Sequence, residues 1–337
     1  FQKVYPKWVS KTTGTVELQI IDKAASSGRP VNVNSLAAIF AKGFLAGLVV
    51  CFALATVYLL SVRTVRKESD MKQITSARCI SCIPEVVPKK RSNNKKLKLL
   101  ITNKRIDWGF KQSMLMIQSR LQQIMRRTGD KVLLITSTIP AEGKTMTAVN
   151  MALAFAQEGM KVALLDGDLR KPSVCELMKL PEGPGLTEYF RGESTPEEIQ
   201  VVKDGVTFFR AGQKKGKVSG LIDEEKMNSL LEKLRKEYDV ILMDAAPSYV
   251  FSDAMILSSY ADKVLYVVRV DKADAKAIQV GMNSFEEKEK LIGYVINRDT
   301  GGYISQSRYG YGRYGKYQKY RKYAELDEET MNTEDTL

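Results

Sequence analysis

The stretch of residues 131–145 constrains the fold more than any other part of the chain. Residues 132–136 are apolar or β-branched and predict a buried parallel strand, while the apolar run 146–155 predicts a helix. The loop between them ends in Gly143-Lys144-Thr145. A glycine lets the backbone approach phosphate oxygens, the free N–H groups of the helix favour an anion, and the lysine and threonine can reach phosphate and Mg²⁺. These residues therefore predict a phosphate-binding loop.

Two later apolar strands end in acidic residues. The usual loop pattern has glycine five residues before Gly143, where this chain has Thr138, so a chance Gly-Lys-Thr triplet is the alternative. Asp166 and Asp168 follow one strand at alternate positions, so their carboxylates project from the same side, and Asp244 ends the other strand. Ligands of open α/β sheets bind beyond the carboxyl ends of the strands. Three acids converging there with the loop favour a Mg²⁺-nucleotide site over simple helix caps.

Alternating strand and helix patterns predict the fold class. Such alternation is typical of α/β proteins, and we expect a P-loop NTPase-type parallel sheet wrapped by helices on both faces. Apolar residues at helical spacing over residues 108–124 predict an amphipathic helix before the first strand. Thr195-Pro-Glu-Glu and Ser252-Asp253-Ala254 predict two further helix starts. The remaining predicted elements are strands at 206–210, 263–269 and 291–297 and a helix at 223–238.

An uninterrupted apolar stretch precedes the sheet. Residues 43–62 contain no charged side chain, and about 20 residues in a helix match the ~30 Å hydrocarbon core of a bilayer. A buried core helix is the alternative. Basic residues, among them Arg63 and Arg66, are in excess on the C-terminal flank, which predicts a cytoplasmic location for the residues beyond the helix. We expect a transmembrane helix over residues 37–62.

The composition narrows the chemistry. The 337 residues include 52 Lys and Arg but 39 Asp and Glu, a formal charge of +13 that suggests an acidic membrane surface, nucleic acid or protein as partner. The absence of histidine excludes histidine-based triads and most zinc sites. The pair Cys79-Ile-Ser-Cys82 has no second pair, so metal or redox chemistry there is a minor alternative.

Because the chain begins at Phe1, we expect a fragment of a longer protein. Basic clusters over residues 63–105 predict a solvated tether that also lies against anionic lipid.

The C-terminal part changes character. It has no apolar periodicity and predicts a disordered tail. Tyrosines alternate there with glycine and basic residues before an acidic end, and a merely solubilising tail would not need so many aromatic rings. Such a segment can stack on single-stranded nucleic acid, or its tyrosines can accept phosphoryl groups. The tyrosines are Tyr303, Tyr309, Tyr311, Tyr314, Tyr317, Tyr320 and Tyr323.

The order of these features resembles the bacterial tyrosine kinases of capsule and exopolysaccharide synthesis. The resemblance is carried by the apolar helix, the loop Thr-Ile-Pro-Ala-Glu-Gly-Lys-Thr at 138–145, Leu-Asp-Gly-Asp-Leu-Arg at 165–170, Met-Asp-Ala-Ala-Pro at 243–247 and the tyrosine tail. Threonine at position 138 is normal in these kinases. The chain resembles their fused form, in which a chain-length-determinant polysaccharide co-polymerase supplies the membrane part. The implied domains are an extracytoplasmic juxtamembrane end of the co-polymerase at 1–36, the transmembrane helix at 37–62, a basic cytoplasmic tether at 63–105, the kinase domain at 106–300 and the tail at 301–337.

The resemblance implies an ATP-dependent protein-tyrosine autokinase that phosphorylates its own or a neighbour's tail tyrosines and so regulates polysaccharide polymerisation and export. Asp166 would accept the tyrosine proton. The implied catalytic residues are Lys144, Asp166, Asp168 and Asp244, and the implied Mg²⁺ ligands are Thr145, Asp166 and Asp244. The implied ATP contacts are Pro140, Ala141, Glu142, Gly143, Lys144, Thr145, Met146, Arg170 and Asn297.

The resemblance also implies partners and a location. The protein would lie in the bacterial inner membrane, with its kinase domain and tail in the cytoplasm. It would associate with itself as a homo-oligomer, which is a ring in the family. Its other partners would be membrane lipids, the polysaccharide polymerisation and export machinery and a cognate tyrosine phosphatase, and no nucleic acid is expected. The family's Glu-x-x-Arg-x-x-Arg contact motif is replaced here by Gln112, Leu115 and Gln118, which predicts weaker assembly or other contacts.

Two other functions fit part of the pattern. A non-kinase ATPase of the partitioning and division-site class shares the sheet and the loop, but it lacks the tyrosine tail and the membrane helix. That class also has a second lysine near the start of the loop, where this chain has Ser137 and Thr138. A structural co-polymerase that binds nucleotide without transferring phosphate would use the same residues as a kinase, so it stays an alternative.

Overall fold

The computed structural model describes residues 36–61, 63–86, 99–213, 220–286 and 289–299. The predicted extracytoplasmic segment and the tyrosine tail lie outside the described residues. The chain divides into two compact units, residues 1–61 and 62–337.

The first unit contains helix α1 (Leu36–Ser61) in its described part. Its segment Leu36–Val57 has a mean hydropathy of 2.2, which makes it long and apolar enough to cross a membrane by length and composition. None of that segment is buried, whereas a core helix of a soluble protein would bury one face. The predicted helix therefore forms, and its all-round apolar surface fits lipid better than a protein core.

The second unit is built on an eight-stranded sheet. The strand order is β1-β8-β7-β2-β6-β3-β5-β4, and every neighbouring pair is parallel except β4 and β5, which are antiparallel. The α/β fold is therefore confirmed, with one antiparallel edge strand that the sequence did not predict. The strands are β1 (Cys79–Pro84), β2 (Val132–Ser137), β3 (Val162–Asp166), β4 (Gln200–Lys203), β5 (Val206–Phe209), β6 (Val240–Asp244), β7 (Lys263–Arg269) and β8 (Leu291–Asp299).

Helices cover both faces of this sheet. Alternate residues of the central strand β2 enter different cores: Val132 and Leu134 face one, and Leu133 and Ile135 face the other. A strand buried on both faces must be apolar throughout, which explains the continuous run in the sequence. The helices are α2 (Glu68–Met71), α3 (Trp108–Thr128), α4 (Lys144–Gln157), α5 (Val174–Met178), α6 (Leu186–Arg191), α7 (Glu224–Glu237), α8 (Asp253–Tyr260) and α9 (Ala275–Glu286). Helices α3 and α4 pack on one face, and α7, α8 and α9 pack on the other.

One predicted helix does not form. The backbone N–H of Thr195 donates to Glu198 Oε2 at 2.9 Å, which is the start of a helix cap. The residues after Thr195 nevertheless make only a turn, because the edge strand β4 begins at Gln200 and pairs with β5. The sheet edge therefore overrides the local capping signal.

The structure also differs from the expected solvated tether over residues 63–105. Strand β1 adds to the sheet edge beside β8, and its Ile80 and Ile83 are fully buried. Earlier in the same segment Val65 and Met71 are buried as well. The basic clusters dominate the composition and conceal a few apolar residues at spacings that suit the sheet edge. Much of the predicted tether is therefore part of the second unit.

The residues nearest the start of this unit are fixed to the end of β7. Asp271 N donates to Val65 O at 2.9 Å, and Arg66 Nε forms an ion pair with Asp271 Oδ1 at 2.9 Å. Ala275 N at the start of α9 donates to Arg63 O at 2.8 Å. These bonds hold the incoming chain at the carboxyl end of β7, which is the edge that carries the predicted ligand site.

The cysteine pair lies on β1. A register shift between Cys79 and Ser81 turns both Cys79 and Cys82 toward the same core. Contact with Cys79, together with burial, raises the pKa of the Cys82 thiol far above its ordinary value. A thiol that stays protonated is a poor nucleophile and a poor metal ligand. No group of three or more potential His, Cys, Asp or Glu ligands forms a metal cluster within the described ranges.

The fold of β1 gives a direct prediction. Replacing Ile80 by alanine should lower the free energy of unfolding by about 2 to 4 kcal/mol, because it leaves a cavity in a closed core. Chemical denaturation of the full chain measures this change. Val202→Ala is the control, since that side chain is 71% exposed and its loss should change stability by less than about 0.5 kcal/mol. Equal stability of the two variants would show that β1 is not part of the fold.

Candidate nucleotide-binding site

The loop between β2 and α4 ends in a glycine that cannot be replaced without strain. Gly143 has a φ of 97°, a left-handed conformation that side chains disfavour. A Cβ atom there would also collide with the side-chain amide of Asn297. That amide Nδ2 donates to Glu142 O at 2.7 Å, so the end of β8 supports the loop directly.

Replacing Gly143 by alanine should therefore destabilise the protein in two ways. The left-handed φ costs about 1 to 2 kcal/mol, and the collision with Asn297 adds to it by moving the loop. We expect both a lower free energy of unfolding and weaker nucleotide binding, measured by denaturation and titration calorimetry. Gly129→Ala is the matched control, because Gly129 has a φ of 75° but nothing within 4 Å of an added Cβ. Equal losses in the two variants would contradict the role of the collision.

A buried carboxylate holds the loop from within. The side chain of Glu142 is fully buried and accepts hydrogen bonds from Ile139 N at 2.8 Å and Arg269 N at 3.3 Å. Arg269 Nη1 also donates to Ala141 O at 3.0 Å. Burial raises the pKa of Glu142 to about 7, although the surrounding N–H donors oppose the shift. The carboxylate thus ties the phosphate-binding loop to the end of β7.

This raised pKa predicts a pH dependence. A carboxyl whose pKa is higher in the folded state than in the unfolded one contributes stability below the unfolded pKa, and that contribution is lost as the pH rises through the folded pKa. The free energy of unfolding should therefore fall between about pH 4.5 and about pH 7, and part of that fall should disappear in Glu142→Gln. Denaturation across this range measures it. An unchanged slope in the variant would show that Glu142 does not titrate there.

Thr138 occupies the position where such loops usually have glycine. It is fully buried, and its Oγ1 accepts a hydrogen bond from Tyr266 at 3.2 Å. The Tyr266 hydroxyl lies 2.9 Å from Ser248 Oγ as well. The threonine side chain is therefore buried and hydrogen-bonded to Tyr266 of strand β7.

The lysine of the loop sits among the three predicted acids. Lys144 Nζ lies 2.7 Å from Asp168 Oδ2 and 3.6 Å from Asp244 Oδ1. Burial alone would lower the pKa of Lys144, but the charges of Asp244 and Asp168 more than offset it and raise the pKa above its ordinary value. The ammonium group is therefore charged at neutral pH and fixed at the carboxyl ends of β3 and β6.

Two carboxylates of the site are buried next to each other. Asp166 and Asp244 are directly opposite on the paired strands β3 and β6. Asp166 Oδ2 accepts from Val174 N at 3.2 Å, and Asp244 Oδ2 accepts from Thr145 Oγ1 at 2.6 Å. The other oxygen of each carboxylate has no hydrogen-bond donor within the described residues. Burial raises the pKa of both acids, and the charge of Asp244 adds to the rise at Asp166.

These oxygens fit a hard divalent cation. Mg²⁺ binds oxygen ligands, and a positive ion would relieve both the repulsion between the carboxylates and their missing hydrogen bonds. The hydroxyl of Thr145 lies on the same side, bonded to Asp244. The arrangement therefore suits a Mg²⁺-nucleotide, with the phosphate-binding loop and Lys144 on one side and the acids on the other.

Arg170 lies beyond these acids and has a partner that sequence reasoning missed. Its Nε and Nη2 atoms contact the two oxygens of Asp253 at 2.5 and 3.0 Å. Its Cζ lies 4.5 Å from the ring centre of Phe251. The sequence predicts Asp253 only as part of a helix start; helix α8 does start there, but its carboxylate serves Arg170. An arginine and an aspartate 83 positions apart give no local signal of their pairing.

The structure brings most of the predicted site residues together. Lys144, Thr145, Asp166, Asp168 and Asp244 form one connected cluster. Pro140, Ala141, Glu142 and Gly143 form the loop, and Asn297 supports it. Met146 differs from them, because its side chain packs against the core beside α4. The seven predicted acceptor tyrosines lie outside the described residues.

Comparisons with known proteins match the part of the chain that carries this site. The family model ParA, described as NUBPL iron-transfer P-loop NTPase, matches residues 129–275. The chain is 33% identical over 196 residues to the tyrosine-protein kinase CpsD of Streptococcus pneumoniae, covering 54% of this chain and 82% of that relative. It is 24% identical over 317 residues to a tyrosine-protein kinase of the cps region of Klebsiella pneumoniae, covering 90% of this chain. The chain spans only 43% of the length of that second relative.

A solved structure has the same fold. The kinase domain of the Escherichia coli tyrosine kinase ETK is 24% identical and superposes with a TM-score of 0.64, covering 73% of this chain and all of that domain. The chain thus shares the fold of that kinase domain.

Proposed function

Because the chain belongs to the family of bacterial tyrosine-protein kinases, we propose that it transfers the γ-phosphoryl group of ATP to tyrosines of its own tail or of a neighbouring copy's tail. The observation that carries this proposal is the cluster of Lys144, Asp166 and Asp244, in which a charged lysine faces two buried carboxylates that each have one oxygen without a hydrogen-bond donor among the described residues. The C-terminal part of the same chain carries seven tyrosines between residues 303 and 323.

The proposed binding roles follow from charge. Lys144 would neutralise the β and γ phosphates, and Gly143 with the N–H groups at the start of α4 would cradle them. Asp166, Asp244 and the hydroxyl of Thr145 would hold Mg²⁺. A bound Mg²⁺ supplies positive charge for the phosphate oxygens during phosphoryl transfer. Asp168 would keep Lys144 in position through their ion pair of 2.7 Å.

The proposed chemistry also assigns a proton acceptor. The phenol oxygen forms a bond to the γ phosphorus, the bond from that phosphorus to ADP breaks, and the phenol proton passes to a carboxylate. Asp166 is our candidate, because its Oδ2 accepts from Val174 N while its Oδ1 has no hydrogen-bond donor within the described residues. A carboxylate oxygen without a donor can take the proton of a phenol, whose own pKa is about 10, as the bond to phosphorus forms.

The wider context is part of the proposal. We infer that the chain is the membrane-proximal end of a polysaccharide co-polymerase fused to a kinase. The apolar helix α1 and the 90% coverage by the Klebsiella relative support the fusion. We further propose that the kinase unit and the tail are cytoplasmic, that copies associate with one another and with anionic lipid and the polysaccharide export machinery, and that a tyrosine phosphatase reverses the modification.

The tail offers a simple electrostatic switch. Each phosphorylated tyrosine gains about 1.5 to 2 negative charges at neutral pH. The segment that carries the tyrosines is basic, with arginines and lysines between them. Full phosphorylation would therefore reverse its sign and change its affinity for acidic surfaces, including the site of a neighbouring copy.

One experiment tests the proposal. The full chain in a membrane mimic is incubated with Mg-ATP, and phosphotyrosine is mapped by mass spectrometry over residues 301–337. We expect modified tail tyrosines, and no modification in a variant whose seven tail tyrosines are replaced by phenylalanine. If ATP is hydrolysed while the tail stays unmodified, the chain is a membrane-tethered ATPase. If ATP is bound but neither hydrolysed nor transferred, it is a structural co-polymerase.

A further inference from the structure

The guanidinium group of Arg170 is held on two sides. The carboxylate of Asp253 takes Nε and Nη2 in a paired arrangement at 2.5 and 3.0 Å. The ring of Phe251 lies against its face at 4.5 Å. A planar fork bound to a carboxylate has a fixed orientation, and an aromatic ring on its face restricts it further. Arg170 is therefore rigid, although its side chain is 29% exposed.

Asp253 is used for this arginine rather than for its own helix. It is the first residue of α8, where an acid usually interacts with the helix N–H groups. Ser252, which precedes it, makes no side-chain cap bond either. The side chain of Asp253 is only 9% exposed, and both of its oxygens bond to Arg170. A buried carboxylate that leaves its local partners for one distant side chain indicates a specific positioning role.

The arrangement connects the two strands that carry the acids. Arg170 follows Asp166 at the end of β3, and Asp253 follows Asp244 at the end of β6. The charge of Asp168 also contributes, after Asp253, to the raised pKa of Arg170, and Asp168 is bonded to Lys144. The side chains of Lys144, Asp168, Arg170 and Asp253 therefore interact in sequence, and their charges alternate in sign.

One edge of the arginine stays available. Among the described residues no acceptor contacts Nη1 of Arg170, since its bonds to Asp253 use Nε and Nη2. We propose that Asp253 and Phe251 are positioning residues that hold Arg170 so that this edge can stabilise the phosphoryl group during transfer. The inference rests on the proposed kinase function. Charge on the oxygens of a transferring phosphoryl group is stabilised by a fixed arginine, which some enzymes of this type receive from a partner protein. Here it would come from the same chain.

The test is a double-mutant cycle on phosphotransfer. We expect Asp253→Asn to lower kcat by about 10- to 100-fold, because a displaced group of this kind loses its effect on the transition state, while KM for ATP and the melting temperature stay nearly unchanged. Arg170→Ala should lower kcat at least as much. If Asp253 acts through Arg170, then Asp253→Asn should cost nothing further in the Arg170→Ala background. Phe251→Leu should give a smaller loss of the same kind.

The chain offers a matched control pair. Arg235 binds Asp262 through the same kind of fork, at 2.9 and 2.6 Å, away from the site. Arg235→Lys should leave kcat unchanged, whereas Arg170→Lys should lower it. An unchanged kcat in Asp253→Asn, or an equal loss in the presence and absence of Arg170, would overturn the positioning role. A wild-type chain and an Arg235→Lys variant that both transfer no phosphate would overturn the kinase function itself.

Discussion

Replacing Lys144 by methionine should strongly reduce phosphotransfer and also make the protein less stable. The lysine is the positive partner of Asp168 and Asp244, at 2.7 and 3.6 Å. Removing one partner of a buried ion pair leaves an uncompensated charge and costs about 3 to 5 kcal/mol. The loss of a group that stabilises charge on the transferring phosphoryl group should lower kcat by about 100-fold or more. Lys144 is thus expected to serve both folding and chemistry.

The two effects are measured separately. Phosphotyrosine formation in the full chain gives kcat, and chemical denaturation without nucleotide gives the free energy of unfolding. Lys131→Met is the matched control, because Lys131 Nζ donates to two backbone carbonyls, of Arg235 and Tyr238, outside the site. The control should lose some stability but keep its activity. A Lys144→Met variant of unchanged stability would show that the acids are not charged in the unliganded protein.

Replacing Asp166 by asparagine should have the opposite effect on stability. Asp166 is buried directly opposite Asp244, and its Oδ1 has no hydrogen-bond donor within the described residues. An amide at this position removes the repulsion, and its NH₂ group can donate to Asp244 Oδ1, which has no hydrogen-bond donor within the described residues. The free energy of unfolding should therefore rise. If Asp166 accepts the phenol proton, kcat should still fall by about 10²- to 10⁴-fold.

The pH dependence separates this gain from an unrelated repacking. The pKa of Asp166 lies well above its ordinary value because of burial and the charge of Asp244. Its contribution to stability is therefore present at low pH and is lost as the pH rises through the folded pKa. The gain in Asp166→Asn should be larger at neutral than at acidic pH. A variant that loses stability, or that keeps full activity, would contradict the roles proposed for this residue.

Lys144→Met and Asp166→Asn are expected to change the free energy of unfolding in opposite directions, which reflects the balance of charge in the site. A site that binds a polyphosphate and a cation must keep charges unsatisfied before they arrive. Here the imbalance lies on the side of the acids, because Asp166 and Asp244 face one another while Lys144 is already shared between Asp168 and Asp244. Binding of a Mg²⁺-nucleotide should therefore stabilise the protein by more than contacts to the base alone would give, through the linkage of binding to folding.

Part of the fold followed from local patterns. Strand β7 (Lys263–Arg269) agrees with its predicted span, and helix α3 (Trp108–Thr128) begins where the helical spacing begins. The helix has a sustained helical spacing of apolar residues, and the strand is a continuous apolar run between two basic residues, so their residues alone decide their type. The helix predicted after Thr195 was wrong, because the residues there form a turn. The strand β1 (Cys79–Pro84) was not predicted. In both cases the deciding factor is an edge of the sheet, which a local window does not contain.

The sequence by itself determined the phosphate-binding loop, because the strand, the glycine and the start of the helix are adjacent in the chain and their conformations depend on local residues. It also indicated the three acids, because residues at strand ends meet at one edge of a parallel sheet. Only the tertiary structure decided how these groups are held. The bond from Arg269 to Glu142 joins residues 127 positions apart, and the fork from Arg170 to Asp253 joins residues 83 apart. Such pairs depend on strand order and packing, which leave no periodic signal in the chain.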